Sequence, residues 1–101
     1  MEQRRTRRFK LQLPLSITRS GSERTVVPGL TKNISSNGVL FTSEREPDLG
    51  NPIEYVITLN REGVHAVNLR CMGKIVRSER IAIESTFQVA ATLERYEFVR
   101  Q

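Results

Sequence analysis

The stretch Asn33-Ile34-Ser35-Ser36-Asn37-Gly38 decides how this chain is interpreted, because it lies between two apolar runs in the first third of the sequence. The runs on either side, residues 28–32 and 39–42, have the character of β-strands. Asn-Gly is a common signal for a tight turn between antiparallel strands. The stretch therefore predicts a turn that joins two strands and presents amide and hydroxyl groups to solvent.

The rest of the chain shows apolar residues in alternation with polar ones, which is the period of half-buried strands. Alternating runs cover residues 11–17, 53–59, 67–71 and 87–93. Several short strands at this spacing predict an all-β fold, either a sandwich or a closed barrel. Pro14 favours an edge position or a bulge for the first strand, and Gly73 favours a bulge in a later one. Residues 93–101 fit either a strand or a short C-terminal helix.

Length and composition predict a single soluble globular domain. The chain has 101 residues, of which 38% are hydrophobic and 27% are charged. No apolar run has the length of a membrane span, and the basic start is not followed by an apolar stretch that would make a secretory signal. Cys71 is the single cysteine, which excludes an internal disulfide. We expect a cytoplasmic protein with a basic arm at residues 1–10 and one β-domain at residues 11–101.

The positive charge is concentrated at the start of the chain. Residues 1–10 carry five basic side chains and one glutamate, and so account for four of the five net positive charges. Most of the cations are arginines, thirteen against three lysines. Arginine offers a planar fork to phosphate and to guanine edges, and it also stacks on rings. A tail that only aids solubility is the alternative explanation of such a segment.

Residues that would support catalysis are scarce. His65 is the single histidine and Asp48 the single aspartate, and each lies in or beside a turn signal. One cysteine and one histidine cannot build a zinc site alone. The glycines form neither a phosphate loop nor a dinucleotide-binding motif. We therefore expect a protein that is not an enzyme and that has no cofactor and no metal.

The turn and the arm together predict one anion-binding site with two walls. Asn33 offers hydrogen-bond donors and acceptors, Ser35 offers a hydroxyl, and Gly38 permits a backbone conformation that brings amides close to a ligand. Arg4 and Arg8, four residues apart, can reach two separate acceptors. Such a site suits a ligand with phosphates and a purine edge.

This ordered pair of motifs, Arg4-x-x-x-Arg8 and then Asn33-x-Ser35-x-x-Gly38, resembles the signature of the PilZ domain, a bacterial receptor for cyclic di-GMP. The resemblance covers nearly the whole chain and implies a six-stranded antiparallel β-barrel. It implies that Arg4 and Arg8 clamp phosphates and guanine, that Asn33 binds a guanine edge, that Ser35 binds a phosphate or base, and that Gly38 shapes the turn. Arg5 and Arg7 have no fixed role in the signature, and they either add phosphate contacts or face water.

We therefore expect a non-catalytic receptor in which cyclic di-GMP orders a flexible arm against the barrel and changes the surface offered to a downstream protein partner. Two alternatives remain open at this point. One is a small barrel that binds RNA or single-stranded DNA through the arm, although the four Phe, two Tyr and no Trp of this chain supply few stacking platforms. The other is a degenerate PilZ-like interaction domain that binds no nucleotide and docks a protein.

Overall fold

The computed structural model describes residues 11–60, 67–81, 83 and 85–100. These residues form seven β-strands and no helix. The strands are β1 (Pro14–Ser20), β2 (Glu23–Ile34), β3 (Gly38–Ser43), β4 (Pro52–Asn60), β5 (Val67–Ile81), β6 (Thr86–Thr92) and β7 (Arg95–Arg100). The two strands predicted beside the turn are therefore present, and both are longer than the sequence pattern indicated.

The strands close into an antiparallel barrel. Their order is β4-β1-β2-β3-β6-β5, and the additional pairing of β4 with β5 joins the two ends of the sheet. This closure confirms the six-stranded barrel and removes the unpaired edges that an open sheet would expose. The seventh strand, β7, pairs with the first half of β5, from Val67 to Met72. The end of the domain is therefore a strand, which decides between the two structures that the sequence allowed for residues 93–101.

The core fills the barrel with side chains from every strand of the closed sheet. Their alternate positions face inward, as the period of two predicts. The largest side chains with almost no exposed surface are Tyr55, Phe41, Ile57 and Ile75. The Tyr55 hydroxyl donates a hydrogen bond to the Thr92 carbonyl at 3.0 Å, which satisfies the one polar atom of this buried ring. Fully burying each of the large apolar residues stabilises the fold by about 1.5–3 kcal/mol.

The first strand differs from the prediction in two respects: its position in the sheet and the residue at which it begins. β1 pairs with β2 on one side and with β4 on the other, so it is not an edge strand. Pro14 is tolerated because it is the first residue of β1. The register irregularity of this strand lies between Ile17 and Arg19. Residues 11–13, expected as the start of the strand, precede it.

The bulge predicted at Gly73 lies three residues later in the same strand, at Val76, so its predicted position was wrong. The glycine pairs in regular register with Ile53. A Cβ at this position would lie 1.9 Å from the carbonyl oxygen of Thr92, the last residue of β6. Gly73 is therefore needed for the close approach of two backbones, since any side chain would push β6 away from β5.

Several predictions concern residues outside the described ranges. They are the basic arm of residues 1–10 with Arg4, Arg5, Arg7 and Arg8, and the turn signal beside His65. The division into an arm and a barrel domain therefore stays a prediction. Within the described ranges, no helix is long and apolar enough to cross a membrane.

Candidate functional site

The turn between β2 and β3 is built around the Ser35 side chain. The Ser35 N–H donates to the Gly38 carbonyl at 2.9 Å and closes the turn. The Ser35 hydroxyl oxygen accepts hydrogen bonds from the N–H groups of Asn37 at 3.3 Å and Gly38 at 3.2 Å. The same hydroxyl donates to the Gly38 carbonyl at 3.3 Å. The Ser35 side chain thus stabilises a three-residue connection between β2 and β3, whereas Asn-Gly favours a two-residue turn.

Gly38 is required here by a neighbouring strand rather than by an unusual backbone angle. Its φ lies outside the left-handed region, and a Cβ built on it would lie 2.8 Å from the Ala91 carbonyl oxygen. The turn is also fixed to the end of β6, because the Leu93 N–H donates to the Asn37 carbonyl at 2.9 Å. Gly38 and these contacts hold the turn tightly against the barrel wall.

A β-bulge turns the Asn33 side chain outward. Thr31 pairs with Phe41, but Asn33 pairs with the next residue back, Leu40, so Lys32 is the extra residue of the ladder. Leu40 lies between two buried residues of β3 and therefore faces outward, and Asn33, directly opposite, shares its face. Without the bulge, Asn33 would follow Thr31 into the core. Bulges commonly re-aim a side chain in this way.

A second bulge, in β5, turns Arg77 toward the same surface. Ile75 pairs with Ala91 and Arg77 with Ala90, so Val76 is the extra residue. Leu40 pairs with the same Ala90. The register therefore lines up one outer row across four strands: Asn33, Leu40, Ala90, Arg77. Three inter-strand steps of about 4.8 Å separate the backbones at its ends by roughly 14 Å.

This row forms the floor of a shallow groove with a volume of about 220 Å³, bordered on one side by the turn. Two polar side chains of this groove have no bonding partner within the described part of the chain. The Asn33 carboxamide has no hydrogen-bond partner there, and Arg77 has no ion pair there. The groove thus combines an apolar floor with an amide at one end and a cation at the other, an arrangement that can bind an anion carrying a flat polar edge.

Arg77 is a residue of the groove that lies outside both sequence motifs. Its local signal is the break in alternation at Ile75-Val76, where two apolar residues follow one another. Such a break indicates a bulge, but it does not show which strand lies opposite. The pairing of β5 with β6 could not be derived from the pattern, so Arg77 could not be placed near Asn33.

Two larger depressions lie elsewhere, and neither suits an anion as well. One of about 330 Å³ lies at the opposite end of β2 and is lined by three carboxylates and one arginine: Glu23, Glu46, Asp48 and Arg45. The other, of about 440 Å³, mixes three arginines with two carboxylates: Arg19, Arg70, Arg95, Glu54 and Glu94. The Arg70 guanidinium already lies between Glu54, at 3.3 Å, and Glu97, at 3.4 Å. We take the smaller groove as the candidate site because its charge is of one sign and unpaired.

The segment that leads back to the arm is held at the same end of the barrel as the turn. Thr31 lies in β2 two residues before Asn33, and its N–H donates to the Leu13 carbonyl at 2.9 Å. Its hydroxyl accepts from the Leu13 N–H at 2.8 Å and donates to the Leu11 carbonyl. Residues 1–10 therefore continue from a point fixed next to the end of β2 that carries Asn33.

The buried ionisable groups of the core remain protonated at neutral pH. Burial raises the pKa of the Cys71 thiol to about 12, and burial is also the main cause that raises the pKa of the Tyr55 hydroxyl. Neither group therefore carries a charge that would act on the groove. Among the described residues, no cluster of His, Cys, Asp or Glu could hold a metal ion.

Fold and site together define a class of protein: a small closed antiparallel barrel whose outer wall carries a rigid polar turn and an arginine-ended groove. The family model of the PilZ domain matches residues 2–97 of the 101-residue chain, and the chain belongs to the PilZ domain family. PilZ domains are generally non-catalytic binding domains, and they belong to a family of cyclic di-GMP receptors. A comparison with curated proteins found no match.

Proposed function

We propose that this protein is a non-catalytic receptor for cyclic di-GMP that binds the ligand between the groove and the N-terminal arm. The observation that carries the proposal is the outer row with Asn33 at one end and Arg77 at the other, both unpaired within the described residues. Cyclic di-GMP offers two phosphodiesters and two guanine edges, which match a cation and an amide respectively.

The arm supplies the second wall in this proposal. A groove of about 220 Å³ is smaller than the roughly 300–1,000 Å³ of typical small-molecule pockets, so the barrel wall alone does not enclose a dinucleotide. Arg4 and Arg8 clamp the phosphates and stack on or pair with guanine, as the family signature implies. Arg5 and Arg7 either add phosphate contacts or face water. The fixed position of Leu13 beside Thr31 supports this, because it starts the arm at the correct end of the barrel.

On the barrel side, Asn33 receives the guanine edge and Ser35 preserves the turn that presents it. Ser35 also lines the groove, and in this proposal its hydroxyl contacts a phosphate or base. Gly38 keeps the turn flat against β6. Binding then orders the arm against the barrel and presents a new surface to a downstream protein. PilZ domains are typically cytoplasmic, and we propose the same location for this chain.

Calorimetric titration of the full chain with cyclic di-GMP tests the proposal. We expect saturable binding that is lost in Arg8→Ala and strongly weakened in Asn33→Ala. Arg24→Ala serves as the charge control, since Arg24 lies at the far end of β2 from the turn. Absence of heat with the intact protein at low salt and high concentration would contradict the proposal.

A parallel titration with a random single-stranded oligonucleotide separates the receptor from a nucleic-acid-binding barrel. The latter predicts tight, sequence-tolerant binding with a steep dependence on salt. A chain that binds neither ligand but loses a protein partner in pull-down when residues 1–10 are removed would be a degenerate interaction domain.

A further inference from the structure

We infer that Thr31 is a positioning residue, whose hydroxyl fixes the root of the N-terminal arm and thereby sets the affinity of the site. The effect on affinity rests on the proposed function, but the anchoring itself does not. Thr31 is outside the family signature, and its side chain is fully buried.

The anchoring follows from how the ladder between β1 and β2 ends. The pairing of Pro14 with Leu30 is the last regular pair of this ladder. At the next position the Thr31 N–H still donates to the Leu13 carbonyl at 2.9 Å. The Leu13 N–H, however, donates to the Thr31 hydroxyl at 2.8 Å. A side chain thus replaces the backbone partner.

The same hydroxyl uses its proton on the Leu11 carbonyl. One buried oxygen therefore binds the backbone at two points of residues 11–13, one N–H and one C=O. Thr31 pairs with the inward-facing Phe41, so its side chain points to the interior of the barrel. The segment 11–13 is consequently held at the inner side of β2, at the barrel mouth next to the turn. This fixes the point of the barrel from which residues 1–10 continue.

A ligand that uses the arm as its second wall has to hold the arm against the groove. A root fixed beside Asn33 limits the positions open to the arm, so less entropy is lost on binding. A hydroxyl removed from this position leaves the Leu13 N–H and the Leu11 carbonyl without partners, and these groups will turn to water. The arm would then start from a mobile segment.

Thr31→Val tests the inference because it keeps the shape of the side chain and removes the hydroxyl, and Thr31→Ser keeps the hydroxyl. We expect cyclic di-GMP to bind Thr31→Val about tenfold more weakly and Thr31→Ser with nearly wild-type affinity. Amide hydrogen exchange of Leu13, followed by NMR, gives a second readout. Its protection should be lost in Thr31→Val and retained in Thr31→Ser.

Ser43→Ala is a matched control at the other end of the barrel. Ser43 is, with Thr31, one of the two buried polar residues in the described part of the chain. Its hydroxyl likewise binds the backbone twice, donating to the Arg45 carbonyl at 2.8 Å and accepting from the Arg45 N–H at 3.3 Å. We expect Ser43→Ala to lower stability but to leave affinity unchanged.

Each outcome decides a separate point. Equal loss of affinity in Ser43→Ala and Thr31→Val would mean that general destabilisation explains the effect, and the inference would be overturned. Wild-type affinity in Thr31→Val would overturn it as well. If the wild-type chain binds no cyclic di-GMP, the proposed function is wrong, and Leu13 exchange alone then decides whether Thr31 anchors the arm.

Discussion

Replacing Arg77 by glutamine is the most direct test of the groove, because Arg77 was placed there by register and not by a motif. Glutamine keeps a polar side chain of similar reach and removes the charge. Arg77 is exposed at the surface of β5 and has no ion pair among the described residues, so its removal should leave the barrel intact. Any change in binding then reports on the ligand contact.

The size of the effect follows from the exposure of the site. A hydrogen bond to a charged group contributes about 1.5–3 kcal/mol, but an exposed ion pair contributes only about 0–1 kcal/mol. Arg77 lies at the rim of an open groove, so we place its contribution between these values, at about 1–2 kcal/mol. Since 1.4 kcal/mol corresponds to a factor of ten, Kd should rise about five- to thirtyfold.

Isothermal titration with cyclic di-GMP measures this, and Arg80→Gln supplies the matched control. Arg80 lies three residues further along the same strand, outside the groove, and carries the same charge. Equal weakening in the two variants would show that only net charge matters. Unchanged affinity in Arg77→Gln would show that the ligand does not reach the end of the row, and the proposed binding mode would be refuted.

Three further predictions concern the turn and the core. Asn33→Ala should weaken cyclic di-GMP binding without changing Tm. Ser35→Ala should weaken binding and also lower Tm by about 4–8 °C, because the Ser35 hydroxyl stabilises the turn. Calorimetry measures the binding and thermal melts measure Tm. Gly38→Ala should destabilise the fold by roughly 1–3 kcal/mol, since its Cβ would lie 2.8 Å from the Ala91 oxygen, and urea unfolding that matches wild type would contradict this. The pKa of Cys71 is about 12 in the folded chain against its ordinary 9.0, so the unfolded chain loses this proton first. The free energy of unfolding should therefore hold below about pH 9 and fall above it, with a smaller fall in Cys71→Ala.

Most of the barrel could be predicted from the sequence because alternation is a local property. In a strand with one face in the core, apolar residues recur at every second position whatever the neighbouring strands are. Residues 53–59 and 87–93 can therefore be recognised as strands from the sequence alone. Closure and the strand character of the last residues could not be predicted in this way. They depend on pairings between strands that are distant in the sequence, β1 with β4 and β3 with β6, and on β7 pairing with the first half of β5.

The site was predicted in part, and what was missed has a common physical cause. Asn33, Ser35 and Gly38 are close in sequence, so a motif can represent them. Arg77 joins them only through two intervening strands and a bulge, which no local pattern encodes. Thr31 was missed because a β-branched residue at an inward position fits a strand as well as valine does. Its hydroxyl acquires a role only once residues 11–13 pass beside it.

The bulge at Lys32 also determines which face of β2 the signature residues occupy. The extra residue separates two parts of β2 that follow opposite rules: before it, Thr31 and Val27 face the core, and after it, Ile34 does. A chain of the same length whose β2 paired without the bulge would turn Asn33 inward and Ile34 into solvent, although every side chain of the signature would still be present. The spacing between core and signature is therefore as much a part of the binding site as the residues themselves. A family member with the signature residues at this spacing, but with no bulge in the strand, would have the sequence of a receptor and would present no amide to its ligand.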